Sequence, residues 1–178
     1  MSLLCLIGRH GSGKSSIGAA MTPLGYTHLS VGLLRRLAGQ GQYPADVPAL
    51  LMTAMRRAQP GRPLDPDTCR KLLKHALSLP NCVIDGFPAS REHLALLPTD
   101  SAIGVVWTPR SIREDRLVLR AAGSLRQWTP GRHSERESAL ASVILAARLT
   151  DRLLFVANRD SGNAAIAALA KRVAELVR

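Results

Sequence analysis

An apolar run, Leu3 to Ile7, gives way abruptly to glycines in the stretch GRHGSGKSS, residues 8–16. Gly8, Gly13, Lys14 and Ser15 stand at the spacing G-x-x-x-x-G-K-S, and Lys14 to Met21 behind them reads as a helix. A strand that turns through glycines into a helix can aim several backbone N–H groups, and the positive end of the helix dipole, at one anion. Those donors converge only where no side chain intrudes, so Gly8, Gly11 and Gly13, with Ser12 among them, are expected to form a cradle for a polyphosphate. The chain has twenty arginines and four lysines, and one of the four lies inside this cluster. A compact ammonium on a flexible stem enters a nest of phosphate oxygens where a planar guanidinium fits less well. Lys14 is therefore the expected ligand of the β and γ phosphates of ATP, and the Ser15 hydroxyl, with Ser16 close by, the expected ligand of Mg²⁺.

The net charge of +11 and a pI near 11.0 fit anionic partners: nucleotides, phosphate esters or nucleic acid. Part of the excess is also explained by a composition rich in Arg and Ala. Aromatic residues make up 3% of the chain, too few for a base-stacking platform, so nucleic acid is possible but not favoured. With 178 residues, 46% of them hydrophobic, one globular domain with small inserted lobes is expected. No apolar run nears the roughly 20 residues of a membrane helix. The run at Leu3 to Ile7 is short for a signal peptide and lacks a basic start. A cytoplasmic monomer without a membrane partner is expected. Cys5, Cys69 and Cys82 are odd in number and share no C-x-x-C spacing, which points to small apolar packing residues in a reducing compartment.

Short apolar runs alternate with helical stretches, the pattern of an α/β parallel sheet. Strands are expected at Leu3–Ile7, Tyr26–Leu29, Cys82–Ile84, Ile103–Trp107 and Leu153–Ala157. None alternates strictly, as befits strands covered on both faces. Asp65-Pro66 reads as an N-cap followed by proline at the first helical position, with Leu72, Leu73, Ala76 and Leu77 on one face. Pro48 opens a helix carrying Leu50, Leu51, Ala54 and Ala58 that QPGRP stops. The last helix shows Ile166, Leu169, Ala170, Val173, Leu176 and Val177 at helical spacing, with Ser161 or Asp160 as its cap. Residues 30–79 hold two or three helices between strands. Residues 121–138 form a polar, Gly- and Arg-bearing stretch of the kind that serves as a lid or binding loop.

The run CVIDGFPAS sets Asp85 at the end of an apolar strand. In a doubly wound sheet that end faces the ligand crevice, where a carboxylate can hold Mg²⁺ through water. Asp-Gly is equally an ordinary turn signal. Taken together, GRHGSGKSS, YTHLSVGLLRR (26–36), PLDPDTCRKLLKHAL (63–77), VIDGFPAS, RLVLR (116–120) and GRHSERE (131–137) resemble the adenylate kinase family of nucleoside monophosphate kinases over nearly the whole chain. The resemblance implies a P-loop kinase with a five-stranded parallel sheet in the order 2-3-1-4-5. It implies a core at 1–29, 65–120 and 138–178, an acceptor-binding lobe at 30–64 and a short lid at 121–137. It further implies transfer of the ATP γ-phosphoryl group to AMP or another nucleoside monophosphate. Arg36 would grip the acceptor phosphate, Ser30 and Gly32 would line that site, Gly86 would lie against the base, and Arg116, Arg120 and Arg132 would supply closing positive charge. Independently, Arg113, Arg116 and Arg120 share a helix face by their spacing. Such a face suits a bound polyanion, or is a solvated basic surface.

The pattern departs from the family mainly on the acceptor side. Val31 stands for a threonine, Leu33 for an aspartate and Ala89 for an arginine that clamps the acceptor phosphate. His93 stands for a glutamine that reads the base and is taken as substrate-binding; Val143 stands where the family keeps a lid arginine. Arg35, Arg91 or Arg148 could replace the missing charge. Two further readings therefore accompany the nucleoside monophosphate kinase: a kinase of another small hydroxyl or phosphate compound, and a nucleotide-binding regulator or RNA-associated factor with little turnover.

Overall fold

The computed structural model describes residues 2–59, 61–122, 134–160 and 162–177. Five strands, β1 (Ser2–Ile7), β2 (Thr27–Ser30), β3 (Asn81–Asp85), β4 (Ala102–Trp107) and β5 (Leu153–Ala157), form one sheet in the order β2-β3-β1-β4-β5. Every pairing is parallel; Leu6 sits opposite Asp85, Ser30 opposite Asp85 from the other side, and Ile7 opposite Val105. Among the described residues, eight α-helices run between and after the strands: α1 (Lys14–Met21), α2 (Val31–Gly39), α3 (Ala49–Arg57), α4 (Pro66–Leu77), α5 (Arg91–Leu96), α6 (Arg110–Ala122), α7 (Ser134–Ala147) and α8 (Asn163–Leu176). The α/β class and the strand order are those expected from the sequence. Among the described residues, no helix is long and apolar enough to cross a membrane.

The pleat of β1 divides the core. Leu3, Cys5 and Ile7 face a cluster built with α2, α3, α4 and α7 through residues such as Leu34, Met52, Leu72 and Val143. Leu4 and Leu6 face the opposite side, where Ile17 and Met21 of α1 meet Ile166, Ala170 and Val173 of α8. Both faces are apolar, which explains why the strands lack polar alternation. Residues of the expected acceptor lobe, Val47, Leu51 and Met55, belong to the same core cluster as β1 and β3. Burial pushes the thiols of Cys69 and Cys82 up to about 12 and that of Cys5 higher still, so all three act as packing groups rather than nucleophiles.

Two helix starts show how local chemistry sets the frame. Asp65 caps α4, its carboxylate accepting from Thr68 N at 3.0 Å and from the Thr68 hydroxyl at 2.6 Å, with Pro66 at the first helical position. The cap of α8 differs from expectation. Gly162 is the capping residue and offers no side chain, while Asp160 Oδ1 accepts from Gly162 N at 3.0 Å one turn too early to serve the helix. Ser161 lies outside the described residues.

Candidate phosphate-binding site

Parallel strands send all their carboxyl ends to one edge of the sheet, and the loop leaving β1 crosses the middle of that edge. Its shape is held by glycines at positive φ: 154° at Gly8, 78° at Gly11 and 88° at Gly13. The protein itself leaves no room for a Cβ there. At Gly8 it would lie 2.4 Å from Val106 O, and at Gly13 2.4 Å from Asn158 Nδ2. The backbone is thus pressed against β4 and the residue that follows β5, and Gly13 delivers the chain directly into α1 as its N-cap.

The loop is fastened from beneath through one carbonyl. Ser12 O accepts from Thr108 Oγ1 at 3.0 Å and from Asn158 Nδ2 at 2.9 Å; all three residues are buried. From α6, Arg113 Nη1 donates to His10 O at 3.3 Å and Arg116 Nη1 to Gly11 O at 3.2 Å. Arg116 also donates to Asp160 O, tying the loop to the turn before α8. The carbonyls of His10, Gly11 and Ser12 are thus held by side chains from outside the loop, and Ser12 N donates back to Arg9 O at 3.3 Å.

Lys14 fills the hollow. Its Nζ donates to Gly8 O and Arg9 O, both at 2.8 Å, and to Ser12 Oγ at 3.3 Å. Burial lowers its pKa to about 8; the Asp85 carboxylate opposes this, and Arg113 and Arg120 add to it. Asp85 closes one side of the hollow. Burial pushes its carboxyl up, but hydrogen bonds from His28, Ser15 and Ser30 outweigh that and hold it below the usual range. The Ser15 hydroxyl thus lies on the side of the loop that Asp85 faces, near enough to help hold its carboxyl ionised. This oxygen pair is the donor set a hard cation such as Mg²⁺ prefers, with phosphate oxygens and water completing the shell. Among the described residues no group of three His, Cys, Asp or Glu side chains could hold a metal without such help.

Beside the start of α1 a cavity of about 390 Å³ opens, lined by Gly13, Ser16, Ala20, Arg116, Asn163 and Ile166. On the other side of Asp85, Ser30 caps α2, accepting from Leu33 N at 3.4 Å. Gly32 and Arg36 share a face of that helix: a Cβ on Gly32 would come within 3.9 Å of Arg36 Nη1. Gly86, at φ 81°, is exposed beside Val31. Lys14, Ser15, Ser30, Asp85, Arg113 and Arg116 are thus brought together around the loop, with Gly32, Arg36 and Gly86 adjoining. Arg120, in the last turn of α6, is exposed yet near enough to depress Lys14.

Other expected residues lie elsewhere. His93 is buried, stacked on Phe87 at 5.0 Å between ring centres. Its Nδ1 accepts from Ala89 N at 3.1 Å and its Nε2 donates to Leu64 O at 2.9 Å, so both ring nitrogens are spent on the main chain. Arg35 donates to Gln59 O and Arg62 O, pinning the turn after α3, and Arg91 reaches Ser142 O of α7 at 3.4 Å. Neither is aimed at the loop. Arg148 is exposed, and Val143 is a core residue. Arg132 and most of the expected lid, with its Gly123 and Gly131, lie outside the described residues.

Three residues of the site had escaped the sequence reading: His28, Thr108 and Asn158. The last two share a signal that could have found them, since each is a polar residue just past the carboxyl end of an apolar strand. His28 was hidden in the least apolar strand. No family model matches the chain, and no curated protein does.

Proposed function

We propose that the chain is an ATP-dependent nucleoside monophosphate kinase of the adenylate kinase type, moving the γ-phosphoryl group of ATP to AMP or another nucleoside monophosphate. The observation that carries this reading is the Lys14 ammonium resting on Gly8 O and Arg9 O inside a glycine loop, with Ser15 and Asp85 near its mouth. In this reading the loop N–H groups and Lys14 bind the triphosphate, and the cavity between Arg116 and Ile166 takes the nucleoside end. Ser15 and Asp85 would hold Mg²⁺, which offsets charge on the β and γ phosphates. The bond from the γ phosphorus to the bridging oxygen breaks as one forms to an oxygen of the acceptor phosphate. That acceptor is already anionic, so no side chain has to take a proton. What the protein must supply is alignment and positive charge: Arg36 toward the acceptor, Arg120 toward the transferred group, and Arg132 in the closing segment, while Arg116 holds the loop itself in place.

The test is ATP turnover, coupled to nucleoside diphosphate formation, with AMP, CMP, GMP and UMP in turn. One of them should react, and Lys14→Ala should lower the rate about a hundredfold or more. Failure of all four overturns the reading. The burial of His93 favours a second possibility at the same loop, a kinase of a different phosphate-bearing compound. A wider acceptor panel with Mg²⁺-ATP separates the two.

A further inference from the structure

Among the described residues, β5 ends the sheet and pairs with β4 alone. Its five residues, Leu153-Leu154-Phe155-Val156-Ala157, include no charge, proline or glycine, the devices by which edge strands ordinarily repel another chain. Two hydrogen bonds settle which backbone groups face outward. Arg152 O accepts from Ile103 N and Asn158 N donates to Trp107 O, each at 2.8 Å. Polar groups of successive strand residues point to opposite sides. Arg152, Leu154, Val156 and Asn158 therefore serve β4, while Leu153, Phe155 and Ala157 turn their N–H and C=O groups to the open edge. The side chains there are apolar: Leu153 packs partly against the core, while Phe155 and Ala157 are exposed. Phe155 is 66% exposed, Trp107 beside it 42%, and Leu149 just before the strand 87%. The Phe155 and Trp107 rings lie 6.4 Å apart, and the Arg159 guanidinium sits 5.6 Å over Trp107.

We infer that this edge is a homodimer interface: β5 pairs antiparallel with β5 of a second copy, centred on Phe155, joining two five-stranded sheets into one. The outward groups allow a two-fold axis beside Leu154, Phe155 or Val156, and only the axis beside Phe155, the middle one of the three outward residues, pairs all three of them with the second copy. Phe155 then exchanges both hydrogen bonds with its counterpart, and Leu153 pairs with Ala157 of the second copy. A slip of one residue would turn the bonding groups inward.

The flanking charges fit the same centre. Asp151 stands four residues before Phe155 and Arg159 four after it. Both are exposed, so each Asp151 meets Arg159 of the other copy, once at either end. A slip of two residues leaves these charges unmatched. Exposed ion pairs add little affinity but select register and partner. The two Phe155 rings, neighbours across the junction, add an aromatic cross-strand pair. This self-complementarity identifies the occupant as another copy of the chain rather than an unrelated strand.

Sedimentation of the full chain over a wide concentration range tests the inference. The wild type should reach a dimer. Phe155→Lys and Phe155→Glu should each abolish it, because like charges then oppose themselves across the axis, and an equal mixture of the two should restore a dimer. Each variant should keep the wild-type circular dichroism spectrum, since Phe155 is on the surface. Should either lysine or glutamate disturb folding, Asp151→Asn serves instead. Asparagine tolerates the φ of 51° at that position, and this variant should weaken the dimer several-fold. A wild type that stays monomeric at its highest attainable concentration overturns the inference. So does a dimer that survives Phe155→Lys and Asp151→Asn unchanged, which places the contact on another face, or a mixture that remains monomeric.

Discussion

His28 Nε2 donates to Asp85 Oδ2 at 2.7 Å, joining the carboxyl ends of two neighbouring strands directly beside the phosphate-type loop. The same ring lies against α1, where a Cβ on Gly18 would come within 2.5 Å of its Cδ2 and Nε2. One side chain thus connects the helix that begins at Lys14 to the carboxylate that faces Ser15. The site is held by contacts that run through the scaffold as well as by the loop's own turns.

The first prediction concerns that hydrogen bond. His28→Ala leaves a buried carboxylate with two hydroxyl donors and a void, a loss of about 1–3 kcal/mol at neutral pH. The sign with pH follows from the depressed Asp85 carboxyl. A group whose pKa is lowered by folding adds stability above its unfolded value and loses it as pH falls through the folded one. Removing the bond weakens the depression, so the variant gives up stability at neutral pH and its deficit shrinks in acid. Urea denaturation across the pH range from neutral to strongly acid measures both effects; an equal deficit at every pH would refute the assignment.

The contact with Gly18 gives a second, independent test. A glycine inside a helix ordinarily gains about 0.5–1 kcal/mol on replacement by alanine. Here the added methyl meets the imidazole at 2.5 Å, so Gly18→Ala should destabilise the wild type. In a His28→Ala background the obstacle is gone and the same change should become neutral or stabilising. A double-mutant cycle by chemical denaturation reads the coupling directly. Additive effects would mean that ring and helix do not press on each other.

Much of this arrangement was legible in the residues, and what was not has identifiable causes. Strands announce themselves through runs such as LLCLI and IGVVW, and Asp65-Pro66 marks α4 because cap chemistry is local. Gly8, Lys14 and Asp85 could be read because their spacing and position relative to apolar runs carry the constraint. His28 could not, since β2 is short and half-polar and its partner lies far along the chain; only pairing Ser30 with Asp85 brings the two together. The three arginines at helical spacing on α6 showed a face but not its neighbour. Two of them turn out to fasten loop carbonyls, a structural duty that charge counting does not reveal. For His93, a fate as a buried cross-link depends on Leu64 O arriving from another segment, which no local pattern encodes.

The doubly bonded Ser12 carbonyl supplies a third prediction. Thr108→Val and Asn158→Ala each remove one of two donors to a buried acceptor. The remaining bond keeps the carbonyl satisfied, so each single change should cost about 1 kcal/mol. Removing both strands the carbonyl without a partner, and the double variant should lose more than the sum. Because both donors hold the loop through Ser12 O, affinity for a triphosphate should fall in the double variant through a loosened loop. Calorimetric unfolding and nucleotide titration on the same proteins check this; strict additivity in both would show that Ser12 O is not the shared anchor.

The last prediction turns on Lys14, whose pKa is lowered to about 8 by burial, with Arg113 and Arg120 adding to the effect. A bound triphosphate surrounds the same group with negative oxygens and favours its charged form. Binding therefore takes up a proton wherever free Lys14 is neutral. Below pH 8 the ammonium is already charged and affinity should not depend on this group. Above it, affinity for ATP should fall by up to tenfold per pH unit, until the pKa of the complex is passed. Lys14→Arg, which keeps its charge throughout, should bind more weakly at neutral pH and lose this dependence. Titration calorimetry in buffers of different ionisation enthalpy measures affinity and proton uptake together. A wild-type affinity that stays flat from pH 7 to the onset of alkaline unfolding would show that the ammonium seated on Gly8 O and Arg9 O is not the group that meets the phosphates.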